Sequence, residues 1–155
     1  MKRHTSLISL SKDHHQGLII AQILKKNAPV YKGMPSDPEG KRKYILNFWK
    51  TELADHFIVE EEILIPEIIG KNSDLNEICK QVLEEHKQIR ELLSQLKHSD
   101  NPVNELDQIG HSLENHIRLE ERKLFGKIQE CFDESFLDNL GWKLNSYRNK
   151  KENSC

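Results

Sequence analysis

Residues 56–60 read His56-Phe57-Ile58-Val59-Glu60, and residues 116–120 repeat the pattern as His116-Ile117-Arg118-Leu119-Glu120. Each copy lies in a stretch whose apolar residues recur at helical spacing. Residues four apart lie on one face of an α-helix, about one turn apart, so each copy can direct an imidazole and a carboxylate into the same cavity. The two copies therefore predict two amphipathic helices that together could hold two metal ions.

The rest of the chain shows the same periodicity, without the alternation typical of strands, which predicts an all-α fold. Three breaks divide it: a segment rich in proline and glycine between residues 27 and 40, a turn at residues 70–73, and a third turn near residue 101. Four long helices joined in this way form an up-down-up-down four-helix bundle. We predict a single domain over residues 1–155, with the bundle at about residues 5–132 and a short C-terminal fifth helix at about residues 135–147.

Sequence signals also locate several helix ends. Asp74 and Glu77 resemble a capping box at the start of the third helix. Asn101 as N-cap, with Pro102 in the first helical position, begins the fourth. Pro66 is expected to bend the second helix or to end it early.

Four histidines lie at a common height in this bundle. With turns centred near residues 35, 71 and 101, His14 and His56 are each about 21 residues from the first centre. His56 and His86 are each about 15 residues from the second, and His86 and His116 are each about 15 from the third. The same count places Glu60 and Glu120 together one turn away. The predicted metal ligands are His14, His56, Glu60, His86, His116 and Glu120, and the two carboxylates can bridge.

Each histidine also has an alternative interpretation. A single interior histidine is usually a hydrogen-bonded core residue. Four of them with two carboxylates in a low-dielectric core are costly unless each is paired, and a cation repays that cost. His15 is turned about 100° away from His14 and is a ligand only if His14 is not. Three further histidines match no layer and are expected to be solvated, namely His4, His98 and His111.

The composition excludes several classes of protein. The chain has 23 basic and 25 acidic residues, mixed along its length, and a formal net charge of −2. Such a charge distribution disfavours binding to nucleic acid or to an anionic membrane. No apolar segment is long enough for a membrane span or a signal peptide. The three cysteines, which form no C-x-x-C motif, are typical of a reducing compartment, so we expect a cytoplasmic protein.

Several segments in order resemble one known family, the hemerythrin-like, HHE cation-binding domains. They are Asp13-His14-His15, residues 48–61, Glu85-His86 and residues 116–125. The resemblance implies a four-helix bundle around two non-haem iron ions, oxo- or hydroxo-bridged, with a position left for dioxygen or nitric oxide. It also implies that His14, His56, His86 and His116 are terminal ligands and that Glu60 and Glu120 bridge. The donor set by itself also suits manganese or zinc.

The chain departs from the oxygen carriers of that family. They have a second histidine on the third helix, four residues from the first, where this chain has Val82 and Arg90. They also commonly place the last carboxylate one residue further on. One iron would then have a more open shell, which favours sensing, iron handling or redox chemistry over reversible oxygen carriage.

Two other functions compete with a metal-binding or oxygen-binding protein that is not an enzyme. A di-iron oxidase or peroxidase of the ferritin type normally has Glu-x-x-His on two helices. Here the residues three before His56, His86 and His116 are leucines. A metal-free helical interaction domain is the other alternative, and it would lose little stability under strong chelation.

Overall fold

The computed structural model describes residues 1–153, which form five helices. Helix α1 is Ile8–Leu24 and follows a 3₁₀ turn at Thr5–Leu7. Helix α2 covers residues 38–68, α3 is Ser73–Lys97, α4 covers residues 103–131, and α5 is Glu134–Asn153. The described residues contain no strand, and α1 to α4 form the predicted all-α bundle.

Helices α2 and α4 are not uniform α-helices. In α2, α-helical Pro38–Phe48, Ala54–Val59 and Ile65–Ile68 alternate with π-helical turns at Trp49–Leu53 and Glu60–Leu64. In α4, a π-helical turn at Glu120–Leu124 separates Val103–Leu119 from Phe125–Cys131. Two of these turns therefore begin at the predicted bridging residues, Glu60 and Glu120. Such turns widen a helix locally and are frequent at functional sites.

Several helix ends differ from the prediction. The N-cap of α3 is Asn72, whose side chain accepts a hydrogen bond from the Leu75 N–H, so the predicted capping box at Asp74 was wrong. An extended backbone at Asn72 aims its side chain at that free N–H, which is the usual geometry of an N-cap. Helix α5 continues to Asn153, past the predicted end near residue 147.

The core of the bundle consists of two apolar clusters. One includes Leu10, Val82 and Phe125, and the other includes Ile20, Phe57 and Leu113. Helices α1 and α4 approach closely because Gly110 has no side chain: a Cβ there would lie 2.7 Å from the carbonyl oxygen of Ala21. Within residues 1–153, none of the helices combines the length and the apolarity needed to cross a bilayer.

Candidate metal centre

The six predicted ligands come together inside the bundle. Among residues 1–153, the buried polar residues are Ser6 and those six. Both glutamates are 0 % exposed, and the four histidines are between 0 % and 5 % exposed. The ligands come from all four bundle helices: His14 from α1, His86 from α3, and a His/Glu pair from each of α2 and α4. Burying so many polar groups together costs free energy unless hydrogen bonds, opposite charges or bound cations satisfy them.

The six residues form two groups of four potential ligands that share both glutamates. One group consists of His14, His56, Glu60 and Glu120, and the other of His86, His116, Glu60 and Glu120. In each group, one nitrogen or oxygen atom per residue lies within 4.8 Å of all the others. We refer to these two groups as the candidate metal positions, because each could hold a cation and the two glutamates are shared between them.

The two oxygens of each glutamate face different histidine pairs. Glu60 Oε1 lies 2.7 Å from His56 Nε2, and Glu60 Oε2 lies 3.1 Å from His86 Nε2. Glu120 Oε2 lies 2.9 Å from His14 Nε2, and its Oε1 lies 2.9 Å from His116 Nε2. Each carboxylate therefore presents one oxygen to each histidine pair, so it could bridge cations held at the two candidate positions.

These separations suit ions of first-row metal size. Ligand atoms about 2.1 Å from a metal lie about 3.0 Å apart across a right angle and about 4.2 Å apart when opposite. The His14 and His56 Nε2 atoms are 3.0 Å apart, and His14 Nε2 is 3.7 Å from Glu60 Oε1. The four potential ligands of this group are therefore spaced as a single cation between them would require.

Every histidine of the centre binds a carboxylate through its outer ring nitrogen. The Nδ1–H groups donate to these acceptors at 2.8 Å or 2.9 Å: His14 to Glu121, His56 to Asp13, His86 to Glu61, and His116 to Glu85. A carboxylate accepts and does not donate, so Nδ1 carries a proton, and in the neutral ring this leaves the Nε2 lone pair free for a metal. Metal-binding histidines have this tautomer.

Most of the inward-facing atoms lack a hydrogen-bond partner. Both oxygens of Glu60, both oxygens of Glu120, His86 Nε2 and His116 Nε2 are buried without one. Although Glu60 Oε2 is close to His86 Nε2, the two groups are not aligned for a hydrogen bond. A buried carboxylate left unpaired costs several kcal/mol. Cations between these atoms would satisfy all of them, so the residues fit a metal pair.

Without metal, the centre must hold protons instead. Burial lowers the pKa of His116, but the neighbouring Glu120 carboxylate outweighs burial and raises it to about 10. Burial also lowers the pKa of His86, and the nearby carboxylates of Glu120 and Glu60 raise it to about 9. The pKa of Glu60 is raised by burial and by Glu120, yet the histidines bring it down to about 2. A metal ion would displace the histidine protons, so its binding depends on pH.

Aromatic rings and a small cavity border the centre. The Phe57 ring stacks on His86, with centroids 3.7 Å apart, and the Phe125 ring stacks on His14 at 5.4 Å. The cavity has a volume of about 20 Å³ and lies beside His14, His56 and His116. Its wall also includes the apolar side chains of Phe48, Leu53, Phe57, Leu113 and Ile117. That volume holds about one water-sized molecule. The size of the cavity therefore favours a very small ligand.

The structure also places the histidines outside the predicted set. His15 is exposed, whereas His14 is buried. His111 is 58 % exposed in its side chain. The expectation that His4 is solvated was wrong, because its side chain is 11 % exposed. His4 caps the first turn by accepting from the Ser6 N–H, and its other nitrogen binds Glu134 of α5.

Sequence reasoning missed the four carboxylates that accept hydrogen bonds from the histidine Nδ1–H groups, which we call the outer carboxylates. Glu61 is five residues from His56, and residues five apart do not share a face of a regular α-helix. In the structure, Glu61 binds both His86 and Arg90. The π-helical turn that starts at Glu60 spreads one extra residue over the turn, so consecutive side chains diverge less. Glu60 can then face the metal positions while Glu61 reaches a neighbouring helix, and Glu120 and Glu121 repeat the arrangement.

The comparison with protein families agrees with this geometry. The model of the Hemerythrin HHE cation binding domain matches residues 7–128. This range includes all six predicted ligands and all four outer carboxylates. No curated protein and no solved structure matches the chain. The match covers most of the sequence, and on that basis the chain belongs to the hemerythrin HHE cation-binding family.

Proposed function

We propose that this protein binds two non-haem iron ions and uses them to bind or sense dioxygen or a related small molecule such as nitric oxide, or to handle iron. The observation that carries the proposal is the pair of four-ligand groups that share Glu60 and Glu120. A metal-free helical domain would have no reason to bury six ionisable groups with their free atoms converging. Manganese and zinc remain alternatives, since mixed nitrogen and oxygen ligands suit them as well.

When bound, a pair of iron ions supplies reversible coordination of a small ligand. The protein's own residues do the rest. The histidines and glutamates hold the ions, and the outer carboxylates orient the histidine rings. Phe57 and the apolar wall of the cavity keep bulk water away, and the cavity volume of about 20 Å³ limits the ligand to diatomic size.

The proposed location is the cytoplasm. Cys79 and Cys131 are free thiols in the structure, and free thiols are typical of reducing compartments. Burial raises the pKa of Cys79 to about 11, with a further rise from the Glu120 charge, so this thiol is unreactive at neutral pH. Cys155 lies outside the described residues.

Metal analysis of protein purified without a histidine tag tests the proposal. We expect about two metal ions per chain and, in aerobic protein, the near-ultraviolet absorption of ferric iron pairs, where protein itself does not absorb. Nitric oxide added to the ferrous protein should change the visible spectrum, and the chelated protein serves as the control. Fewer than about one metal per chain after loading with ferrous iron would contradict the proposal.

A further inference from the structure

Arginines support three of the four outer carboxylates of the centre. The pairs are Arg3 with Glu121 at 2.7 Å, Arg90 with Glu61 at 2.7 Å, and Arg148 with Asp13 at 2.6 Å. At the fourth position, Glu85 accepts a hydrogen bond from the Gln81 amide. Two of the arginines come from α3 and from the segment before α1. The third belongs to α5, which lies outside the four-helix bundle.

Arg148 and His56 bind the same atom of Asp13. The Arg148 Nη2 group donates to Asp13 Oδ2, and the His56 Nδ1–H donates to that oxygen at 2.9 Å. His56 Nε2, on the other side of the ring, faces Glu60 in the group that also contains His14 and Glu120. Three groups in a row therefore connect α5 to the centre. Because Asp13 is half-exposed, a second donor is needed to keep its carboxylate in one orientation.

Arg148 also lies where the solvent reaches the centre. Together with Tyr147 it lines a wide groove between α5 and the bundle, which Asp13, Glu52 and His56 line from the other side. The same three residues line the small cavity beside the metal positions. Asp13, Glu52 and His56 therefore lie between the outer groove and the cavity, and Arg148 lies on the groove side of them.

We propose that Arg148 is a positioning residue of the metal centre, which holds the His56 ring in its ligating orientation through Asp13 and makes α5 part of the site. The inference rests on the proposed function. It concerns a helix that lies beyond the residues matched by the family model, so the contact belongs to this chain's own sequence.

Loss of Arg148 should act on the centre in two ways. Asp13 would lose one of its two donors, and the His56 ring would sample orientations in which Nε2 misses the metal. Outer partners of this kind typically contribute about 10- to 100-fold to metal affinity. Loss of the Arg148 charge also removes a repulsion that is larger for the oxidised, more positive metal pair than for the reduced pair. The oxidised form is then favoured, so the midpoint potential should fall.

Three variants test the proposal. Arg148→Gln removes the charge and shortens the reach to Asp13, and Arg148→Lys restores the charge. Lys143→Gln is the matched control, since Lys143 is also on α5 and pairs with Glu67 of α2 at 2.8 Å, with a similar exposure to solvent. Three properties are measured for each protein: the affinity for ferrous iron by chelator competition, the midpoint potential, and the histidine Nδ1–H resonances of the metal-free form.

We expect Arg148→Gln to weaken ferrous iron binding about tenfold or more and to lower the midpoint potential. It should shift the His56 Nδ1–H resonance more than those of His86 and His116. Arg148→Lys should recover most of the affinity and the potential, and Lys143→Gln should match the parent. If Arg148→Gln and Lys143→Gln behave alike in affinity, potential and His56 resonance, the inference is wrong.

The same measurements separate this inference from the proposed function. A parent protein that binds two iron ions while Arg148→Gln resembles the control refutes only the role of Arg148. A parent that binds no metal refutes the proposed function. The His56 resonance of the metal-free variants then still decides whether Arg148 positions that ring.

Discussion

Three consecutive glutamates in α2 provide a graded test of the centre. Glu60 is fully buried and presents one oxygen to each metal position. Glu61 has a side chain 23 % exposed and binds the outer nitrogen of His86. Glu62 is exposed. The substitution of each by glutamine keeps the size and removes one charge, so differences among the three variants report position alone.

The expected losses follow from what each side chain contacts. Glu61→Gln weakens an outer contact, which typically costs about 10- to 100-fold in metal affinity, or about 1.4 to 2.8 kcal/mol. Glu60→Gln removes a ligand from one metal position and a negative charge from both. Its loss should therefore exceed about 100-fold, or about 3 kcal/mol. Glu62→Gln should stay within about twofold of the parent, as surface substitutions usually do.

The assay is chelator competition with ferrous iron, followed by metal analysis of the desalted protein. Circular dichroism and melting in excess chelator establish that each variant folds without metal. Glu60→Gln should retain about one metal or fewer per chain and should lose the spectral features of a coupled pair. Equal occupancy in the Glu60 and Glu62 variants would refute the assignment of Glu60 as a bridging ligand.

Three further outcomes are expected. His56→Ala should reduce metal occupancy far more than His111→Ala, because His111 is exposed and outside the centre, and similar occupancy in the two would contradict the ligand set. Stabilisation by metal, measured as the change in Tm on chelation, should grow between pH 6.5 and 9. The pKa of His116 is raised to about 10 in the metal-free fold, so protonation of His116 stabilises that fold fully only below pH 6.5. This stabilisation is lost as the pH rises, whereas metal binding becomes easier. A Tm difference that shrinks over this range would contradict that reasoning. Gly17→Ala should leave metal content intact but slow or prevent nitric oxide binding. The new Cβ would lie 2.8 Å from Ile117 Cδ1 at the wall of the cavity. Unchanged rates of nitric oxide binding in stopped-flow measurements would show that ligands enter elsewhere.

Much of the fold and the inner ligands can be predicted from local patterns. Apolar residues at helical spacing indicate the helices, and three short breaks indicate the turns. With turn positions known, counting along straight helices is enough to bring His14, His56, His86 and His116 to one level. The choice of Glu60 and Glu120 follows from their spacing of four residues to a histidine on the same face.

The outer contacts depend on features that such patterns do not report. The π-helical turns at Glu60 and Glu120 arise from packing, and without them Glu61 and Glu121 point away from the histidines that they bind. The length of α5 likewise depends on contacts with the bundle, because isolated helices of polar composition are marginally stable.

Local sequence thus specified an all-α bundle with its inner ring of candidate ligands, because helical periodicity and spacing act over a few residues. Only the packed molecule decided which carboxylates support the four histidines, and that a fifth helix reaches one of them through Arg148 and Asp13. These contacts join residues far apart in the chain, and their geometry is set by how whole helices lie against one another.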